Sequence, residues 1–370
     1  MIRVLQCVNI MDRAGLETML MNYYRNIDRT KIQFDFLTHR EDSGAYDIEI
    51  ENLGGKIYHA PRLYPQNYPV YFKWMKDFFM EHPEYEIVHS HIDAMSYLPL
   101  LAAKKAGVPV RIAHSHNTEI PKDFKFLLKQ YFRYRINSVC NYRLACGQEA
   151  GKHLFGNKTF GVIPNAIEAE KFYYNEEIRK LKRNELCLKD SFVIGNVGRF
   201  NSQKNHKFLI EIFKEILKLK PNSILLLIGE GELRNKIKNL VERSGINSNV
   251  RFLGNRSDVY ELYQAMDIFV LPSLFEGLPV VGIEAQFAKL PCVFSDKVTK
   301  EVQFIENCSF VGLDKSATYW AKKIVDIDNI KRKFDNNLFN SKYNIKNSNK
   351  LLTEYYLDLM RNINEKNISC

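Results

Sequence analysis

Short apolar runs rich in β-branched residues recur along the chain at intervals that leave room for one helix between neighbours. In the first half they are Ile2–Val8, Gln33–Leu37, Lys56–His59, Glu86–His91, Val110–His114, Tyr142–Cys146 and Phe160–Ile163. Amphipathic stretches at Leu16–Asn26, Ala94–Ala106 and Lys125–Ser138 lie between several of them. This alternation predicts a parallel sheet with helices on both faces. The second half repeats the rhythm with Phe192–Val197, Ile224–Ile228, Val250–Leu253, Ile268–Leu271, Cys292–Phe294 and Phe310–Val311. After Asn205, the positions Leu209, Ile212, Phe213, Ile216 and Leu217 form the stripe of a helix facing a core. The expectation is two doubly wound α/β domains facing each other. Ligands of such sheets sit at the carboxyl ends of the strands, here the cleft between domains.

A charged stretch from Glu168 to Asp190 follows Pro164-Asn165 and is read as the boundary. It gives a first domain over residues 1–165 and a second over 166–335. The remaining tail, 336–370, opens with Asn336, Asn337, Asn340, Asn344, Asn347 and Asn349, which read as a loop. Leu351, Leu352, Tyr355, Tyr356 and Leu359 then make one apolar helical face that must dock on a domain or fray.

Length and composition agree with this picture. The chain has 370 residues, 45% apolar and 26% charged, which is globular composition and excludes collagen-like, coiled-coil and disordered classes. A net charge of +10 invites anionic partners: nucleic acid, a phosphorylated small molecule or an acidic membrane face. The seven cysteines are scattered without a CxxC pair, so neither a disulfide framework nor a zinc site is expected and a cytoplasmic setting fits. The apolar N-terminal run is too short for a signal peptide, and no stretch is apolar enough to span a bilayer.

Candidate chemistry lies after strands. Following the first strand, Gly15 sits at a strand-to-helix turn where a phosphate can approach backbone N–H groups. The turn is not GxGxxG, so no dinucleotide fingerprint is present. In Gly198-Arg199-Phe200-Asn201-Ser202-Gln203-Lys204-Asn205, a guanidinium and an ammonium can grip a diphosphate from two sides. In Ser273-Leu274-Phe275-Glu276-Gly277-Leu278-Pro279-Val280-Val281-Gly282-Ile283-Glu284, Pro279 predicts a helix starting near Leu278. Its dipole and the N–H groups of Gly277 and Leu278 then favour an anion. Glu276 and Glu284 can each accept a diol, so diphosphate donors between two such carboxylates describe a nucleotide sugar.

Histidines cluster at adjacent strand ends: His89 and His91, then His114 and His116. No carboxylate or thiol completes a ligand set, and no metal is expected. Asp326-Ile327-Asp328 has the D-x-D form of metal-dependent sugar transferases, but it follows a helical pattern rather than a strand. The segment Lys122–Lys158 holds eight lysines and arginines against Asp123 and Glu149, interleaved with aromatics. It is read either as a core helix with solvated cations or as a membrane-interfacial one.

Gly-Arg-Phe-x-x-Gln-Lys-Asn, the Glu-x7-Glu run and Ala-His-Ser-His-Asn together resemble the family-four retaining glycosyltransferases of GT-B fold, nearest to bacterial enzymes of capsule and exopolysaccharide assembly. The resemblance runs from Gly15 to Val302; the family's usual Gly-Gly-Ala-Glu turn is here Ala14-Gly15-Leu16-Glu17. It implies that Gly15 and its loop lie against the donor diphosphate, while Arg199 and Lys204 stabilise the leaving nucleoside diphosphate. Glu276 would hold hydroxyls of the transferred sugar, with Gly277, Leu278 and Val280 donating N–H groups. Glu284 would take the ribose diol, and His116 would sit by the reacting centre. The final helix would cross back to the first domain.

The implied reaction moves a hexose from a UDP-sugar to a lipid-linked or oligosaccharide acceptor, with retention and with neither metal nor other cofactor. Same-face attack is implied, since no nucleophilic carboxylate is evident. An anionic membrane at the inner face of the plasma membrane is the second expected partner, and nucleic acid is dropped. The competing classes are a GT-B-like UDP-sugar epimerase and a non-catalytic nucleotide- or glycan-binding subunit.

Overall fold

The computed structural model describes residues 1–120, 124–327 and 338–368. The chain forms two compact units, one of Met1–Ile167 with the segment from Ile345 onward, the other of Glu168–Asn344.

The first unit runs β1 (Ile2–Cys7), α1 (Gly15–Asn26), β2 (Ile32–Thr38), α2 (Asp47–Asn52), β3 (Ile57–His59), α3 (Tyr68–Glu81), β4 (Ile87–Ser90), α4 (Tyr97–Lys105), β5 (Val110–Ser115), α5 (Phe126–Arg135), β6 (Tyr142–Ala145), α6 (Gln148–Phe155) and β7 (Gly161–Val162). Its seven strands are parallel in the order β3-β2-β1-β4-β5-β6-β7. Strands buried on both faces read as apolar runs, as the sequence does here. One face packs Leu5, Leu37, Val88 and Ala113 against α3, α4 and α5. The other packs Val4, Phe34, Ile87, Val110 and Ile112 against α1.

The second unit runs α7 (Glu176–Glu185), β8 (Phe192–Val197), α8 (His206–Leu219), β9 (Ser223–Ile228), α9 (Arg234–Arg243), β10 (Val250–Gly254), α10 (Val259–Ala265), β11 (Ile268–Leu271), α11 (Val280–Phe287), β12 (Cys292–Ser295), β13 (Cys308–Val311) and α12 (Ala317–Ile327). Its six parallel strands take the order β10-β9-β8-β11-β12-β13. The expected α8 stripe is buried at Leu209, Ile212, Phe213 and Ile216, in the same core as Trp320 of α12.

The chain closes with α13 (Ile345–Ile368), which buries Leu352, Tyr356 and Leu359 in the core of the first unit, as expected of an apolar face that must dock. Leu351, expected on that face, is 48% exposed. Ile345 N–H donates to the Ile167 carbonyl at 2.9 Å, so the outgoing and returning chain lie side by side.

The charged stretch after Glu168, read as the start of the second domain, contains α7, which is pinned on its own unit. Arg179 and Arg183 both pair with Asp267, and Lys182 pairs with Asp258 and Glu261. Asn347 and Asn349 belong to the first turns of α13 rather than to a loop, and the Asn349 amide donates to the Asn26 carbonyl at 2.6 Å. Lys125–Ser138 is α5 plus a short 3-10 turn, and it does not bury all its aromatics. Phe132 is buried and stacks on Tyr97, whereas Phe124, Leu127, Tyr131 and Tyr134 are 85, 81, 53 and 82% exposed. Lys122, Asp123, Asn336, Asn337 and Asp328 of the D-x-D string lie outside the described residues. Asp326 is inside α12.

Candidate functional site

In each sheet the direction of strand addition reverses beside the first strand, between β1 and β4 and between β8 and β11. Loops leaving the carboxyl ends at such a reversal are splayed apart and leave a ligand crevice. Gly15 follows β1, Arg199 and Lys204 follow β8, and Glu276, Gly277 and Leu278 follow β11, whereas His116 follows the neighbouring β5 and Val280 and Glu284 lie within α11.

In the second unit the β8–α8 and β11–α11 loops are laced together. Leu274 N–H donates to the Gln203 carbonyl at 2.8 Å, and the Asn205 amide donates to the Pro272 carbonyl at 3.1 Å. Gly198 leaves room for the Lys204 stem, since a Cβ there would come within 3.1 Å of it. Gly229, at φ +133°, lets the neighbouring loop approach so closely that a Cβ would fall 2.3 Å from the Gly198 carbonyl.

This packing holds Lys204 Nζ 2.6 Å from Glu276 Oε1, with the two side chains 15% and 8% exposed. Ser273 Oγ donates to the same carboxylate oxygen at 2.9 Å, and the Gln203 amide donates to Oε2 at 3.3 Å. Three donors thus fix one carboxylate at the mouth of the loop pair. Arg199 is placed differently: its side chain is 73% exposed and only loosely paired, at 3.4 Å, with Glu232.

The helix after this loop begins at Val280, later than expected, with Pro279 extended at ψ 111° as its cap. A proline disfavours helical backbone in the residue before it, which keeps Leu278 out of the helix. Gly282 N–H bonds back to the Pro279 carbonyl at 3.0 Å, so Val280 and Val281 carry the orphan N–H groups of the first turn. Among the described residues, the N–H groups of Gly277, Leu278 and Val280 make no hydrogen bond. Glu284, in the second turn, shares no partner with Glu276. It accepts the Tyr263 hydroxyl at 2.8 Å, and burial pushes its carboxyl up to about 7.

In the first unit, Gly15 opens α1 with empty space where a Cβ would stand. Glu17, in the same turn, is buried, and desolvation pushes its carboxyl up to about 7. The four histidines do converge. His91 Nδ1 lies 3.0 Å from His116 Nε2, and His89 Nε2 lies 3.1 Å from His114 Nδ1. Burial lowers the affinity of all four for a second proton, and His116 falls to about 3, so the rings are neutral. One ligand atom from each of His89, His91 and His114 lies within 4.8 Å of the others, a spacing that a metal could draw together. However, His89 and His91 already have both nitrogens in hydrogen bonds, so the residues fit a hydrogen-bonded network rather than a metal centre.

Several partners were not singled out from the sequence. Asp93, in the left-handed region at φ +47°, accepts the His116 N–H at 2.8 Å and fixes that turn. Gln6 accepts from His91 at 2.8 Å, Tyr356 reaches His89 from α13 at 2.6 Å, and Tyr263 holds Glu284. For Gln6, the alternation Val4-Gln6 on β1 was a usable clue, since it matches Ile87-His89 on β4.

Residues 177–339 match the model for glycosyl transferases group 1. The chain is 37% identical over 332 residues to the Bacillus subtilis glycosyltransferase EpsF, covering 87% of this chain and 86% of that protein. It is 33% identical over 225 residues to an Escherichia coli UDP-Gal:alpha-D-GlcNAc-diphosphoundecaprenol alpha-1,3-galactosyltransferase, covering 58% of each. In fold it is similar to Anabaena HepE, solved with UDP and glucose, at a TM-score of 0.75 and 16% identity over the whole of both chains. Two doubly wound units, laced Lys204–Glu276 loops and this breadth of likeness give one conclusion: the chain belongs to the group 1, family-four glycosyltransferases of GT-B fold, of the bacterial polysaccharide-assembly type.

Proposed function

We propose that this glycosyltransferase moves a hexose from a UDP-sugar to a lipid-linked or oligosaccharide acceptor, with retention and without a metal. The observation that carries the reading is the Lys204–Glu276 pair beside the unbonded N–H groups of Gly277, Leu278 and Val280. Departure of the nucleoside diphosphate builds negative charge on phosphate oxygens. A fixed ammonium and the amino end of α11 stabilise that charge without solvent reorganisation. Arg199, exposed and loosely held, can swing onto the same phosphates. Glu276 is released to hydroxyls of the sugar as the diphosphate competes for Lys204, and Glu284 takes the ribose diol. In the first unit, Gly15 leaves backbone N–H groups open to a phosphate, and His116 orients sugar or acceptor.

The UDP and lipid-linked parts draw support from the relatives: the galactosyltransferase is named for a UDP-sugar and a diphosphoundecaprenol acceptor, and HepE holds UDP and glucose. The membrane face draws support from the exposed row Leu127, Tyr131 and Tyr134, at helical spacing among basic residues of α5, with exposed Phe124 just before it.

The test is a melting-temperature panel of UDP-, GDP- and ADP-sugars on the full chain, followed by transfer of labelled sugar to a lipid-linked acceptor. A rise confined to UDP-sugars supports the donor, because a ligand that binds only the native state raises the melting point. Isomer formation from a UDP-sugar without acceptor overturns transfer in favour of epimerisation. Binding without turnover points to the non-catalytic subunit.

A further inference from the structure

Successive residues of a strand point to opposite faces, and directly paired residues of neighbouring parallel strands share one. In the second unit this rule brings two thiols together. Cys292 opens β12, Cys308 opens β13, and the two are register partners across that pair of strands. Two positions further on, Phe294 and Phe310 are partners as well, and their rings lie 5.7 Å apart on the shared face. Cys292 is wholly buried, whereas Cys308 is partly exposed on the last strand of the sheet.

This difference in exposure divides the chemistry between them. The Cys292 thiol donates to the Leu290 carbonyl at 3.3 Å, and burial beside Cys308 keeps it protonated. Cys308 is the sulfur that an incoming reagent can reach. Its thiolate attacks one sulfur of a small-molecule disulfide, breaks that S–S bond and releases one thiolate, which takes up the Cys308 proton. The Cys292 sulfur then attacks the Cys308 sulfur, forms the Cys292–Cys308 bond and expels the second thiolate, which takes the Cys292 proton. The two cysteines lose two electrons, and the incoming disulfide is reduced to two thiols.

Neighbouring parallel strands run about 4.8 Å apart, whereas a disulfide holds its Cβ atoms at about 3.8 Å. Closure therefore draws the start of β12 toward β13 at the sheet edge. Cys292 is also the register partner of Phe269 on β11, so the same movement pulls β12 away from β11. At the far end of β12 the Ser295 hydroxyl donates to the Ser273 carbonyl at 2.6 Å. Just beyond, the Lys297 carbonyl accepts the Glu276 N–H at 3.3 Å. These two bonds tie the Glu276 loop to β12, and a shifted β12 works against both. The strain of closure also makes the bond easy to reduce, as a reversible one must be.

We propose that Cys292 and Cys308 form a redox switch: a reversible disulfide between the starts of β12 and β13 that, when closed, loosens the loop carrying Glu276. That the loosened loop slows sugar transfer rests on the glycosyl-transfer reading; the closure and the loosening do not.

The full-length protein treated with oxidised glutathione, alkylated and mapped by mass spectrometry tests the closure. A Cys292–Cys308 cross-linked peptide that dithiothreitol removes is expected. Two alkylated thiols, or glutathione held on Cys308 without the cross-link, overturn the proposal. Amide exchange over Leu274–Glu276, read without any substrate, is expected to run at least threefold faster in the oxidised protein and to return on reduction. Equal exchange overturns the link to the loop whatever the enzyme's activity. Cys308→Ser is expected to keep slow exchange under oxidant, and loosening that persists in this variant overturns the pair as its cause. The transfer rate should fall at least threefold on oxidation, and an unchanged rate beside a loosened loop overturns the slowing. If exchange responds and neither state transfers sugar, the glycosyl-transfer reading fails and the switch stands.

Discussion

Lys204 and Glu276 are locked to each other, Nζ to Oε1 at 2.6 Å, in a loop junction that leaves both side chains almost sealed from solvent. If the ammonium stabilises the leaving diphosphate, Lys204→Ala should lose roughly 2–4 kcal/mol of transition-state stabilisation, seen mainly in kcat. It also strips Glu276 of its counter-charge, so sugar binding should weaken alongside. Unchanged turnover in a folded variant refutes the role.

Glu284 should make donor binding pH-dependent. Its carboxyl sits at about 7, and a diol is accepted by the ionised form. Affinity should therefore rise with pH, by about tenfold from pH 6 to pH 8, and then level off. The ligand-free protein should behave in the opposite sense. A carboxyl raised on folding contributes stability below its unfolded value, and that contribution is lost as pH rises through about 7. Calorimetry and melting curves on wild type and Glu284→Gln check both, since the substitution should flatten each profile. Tyr263→Phe, which removes the hydroxyl at 2.8 Å, should weaken donor binding by about 1–2 kcal/mol.

Chelation separates protein cations from a metal. With Lys204 and the α11 amino end on the phosphates, excess EDTA followed by desalting should leave the transfer rate within twofold. A rate that collapses and returns only with added divalent ion would falsify the metal-free reading.

The α5 surface predicts binding to anionic vesicles. Leu127, Tyr131 and Tyr134 are exposed beside Arg135 and Lys129 on the same short helix, and Phe124 is exposed in the turn before it. Flotation with phosphatidylglycerol vesicles should fall when Leu127 and Tyr134 become Ser and Arg135 becomes Glu, with transfer to a soluble acceptor preserved. Equal flotation of wild type and variant removes the membrane from the account.

Strand positions were legible because parallel strands covered on both faces are written as apolar runs. Phe192–Val197 and Ile268–Leu271 match to the residue, while Phe160–Ile163 shrinks to Gly161–Val162. Helices were less legible where another rule competed. The 10-residue α7 lies in the charged stretch read only as a boundary, yet its cations are bound to Asp258, Glu261 and Asp267 from elsewhere in the fold. Pro279 marked the α11 start but could not tell cap from first turn, a difference that rests on one ψ angle. In the site, Lys204, Glu276 and Glu284 announced themselves by loop position and spacing. Tyr356 could not, because 350 residues separate it from Gln6 and only the docked α13 joins them.

That docking has a consequence for how the molecule is made. A ribosome releases Met1–Ile167 long before Ile345, yet α13, which shares the cover of one face of the first sheet with α1, is made only after the whole second unit. Until it arrives, Phe34 lacks the Tyr356 ring against it and the Gln6–His89 link lacks its hydroxyl. The first unit is therefore completed only after the second has been made, so a nascent chain stalled before Ile345 would expose a partly unsealed sheet face to chaperones and to neighbouring chains.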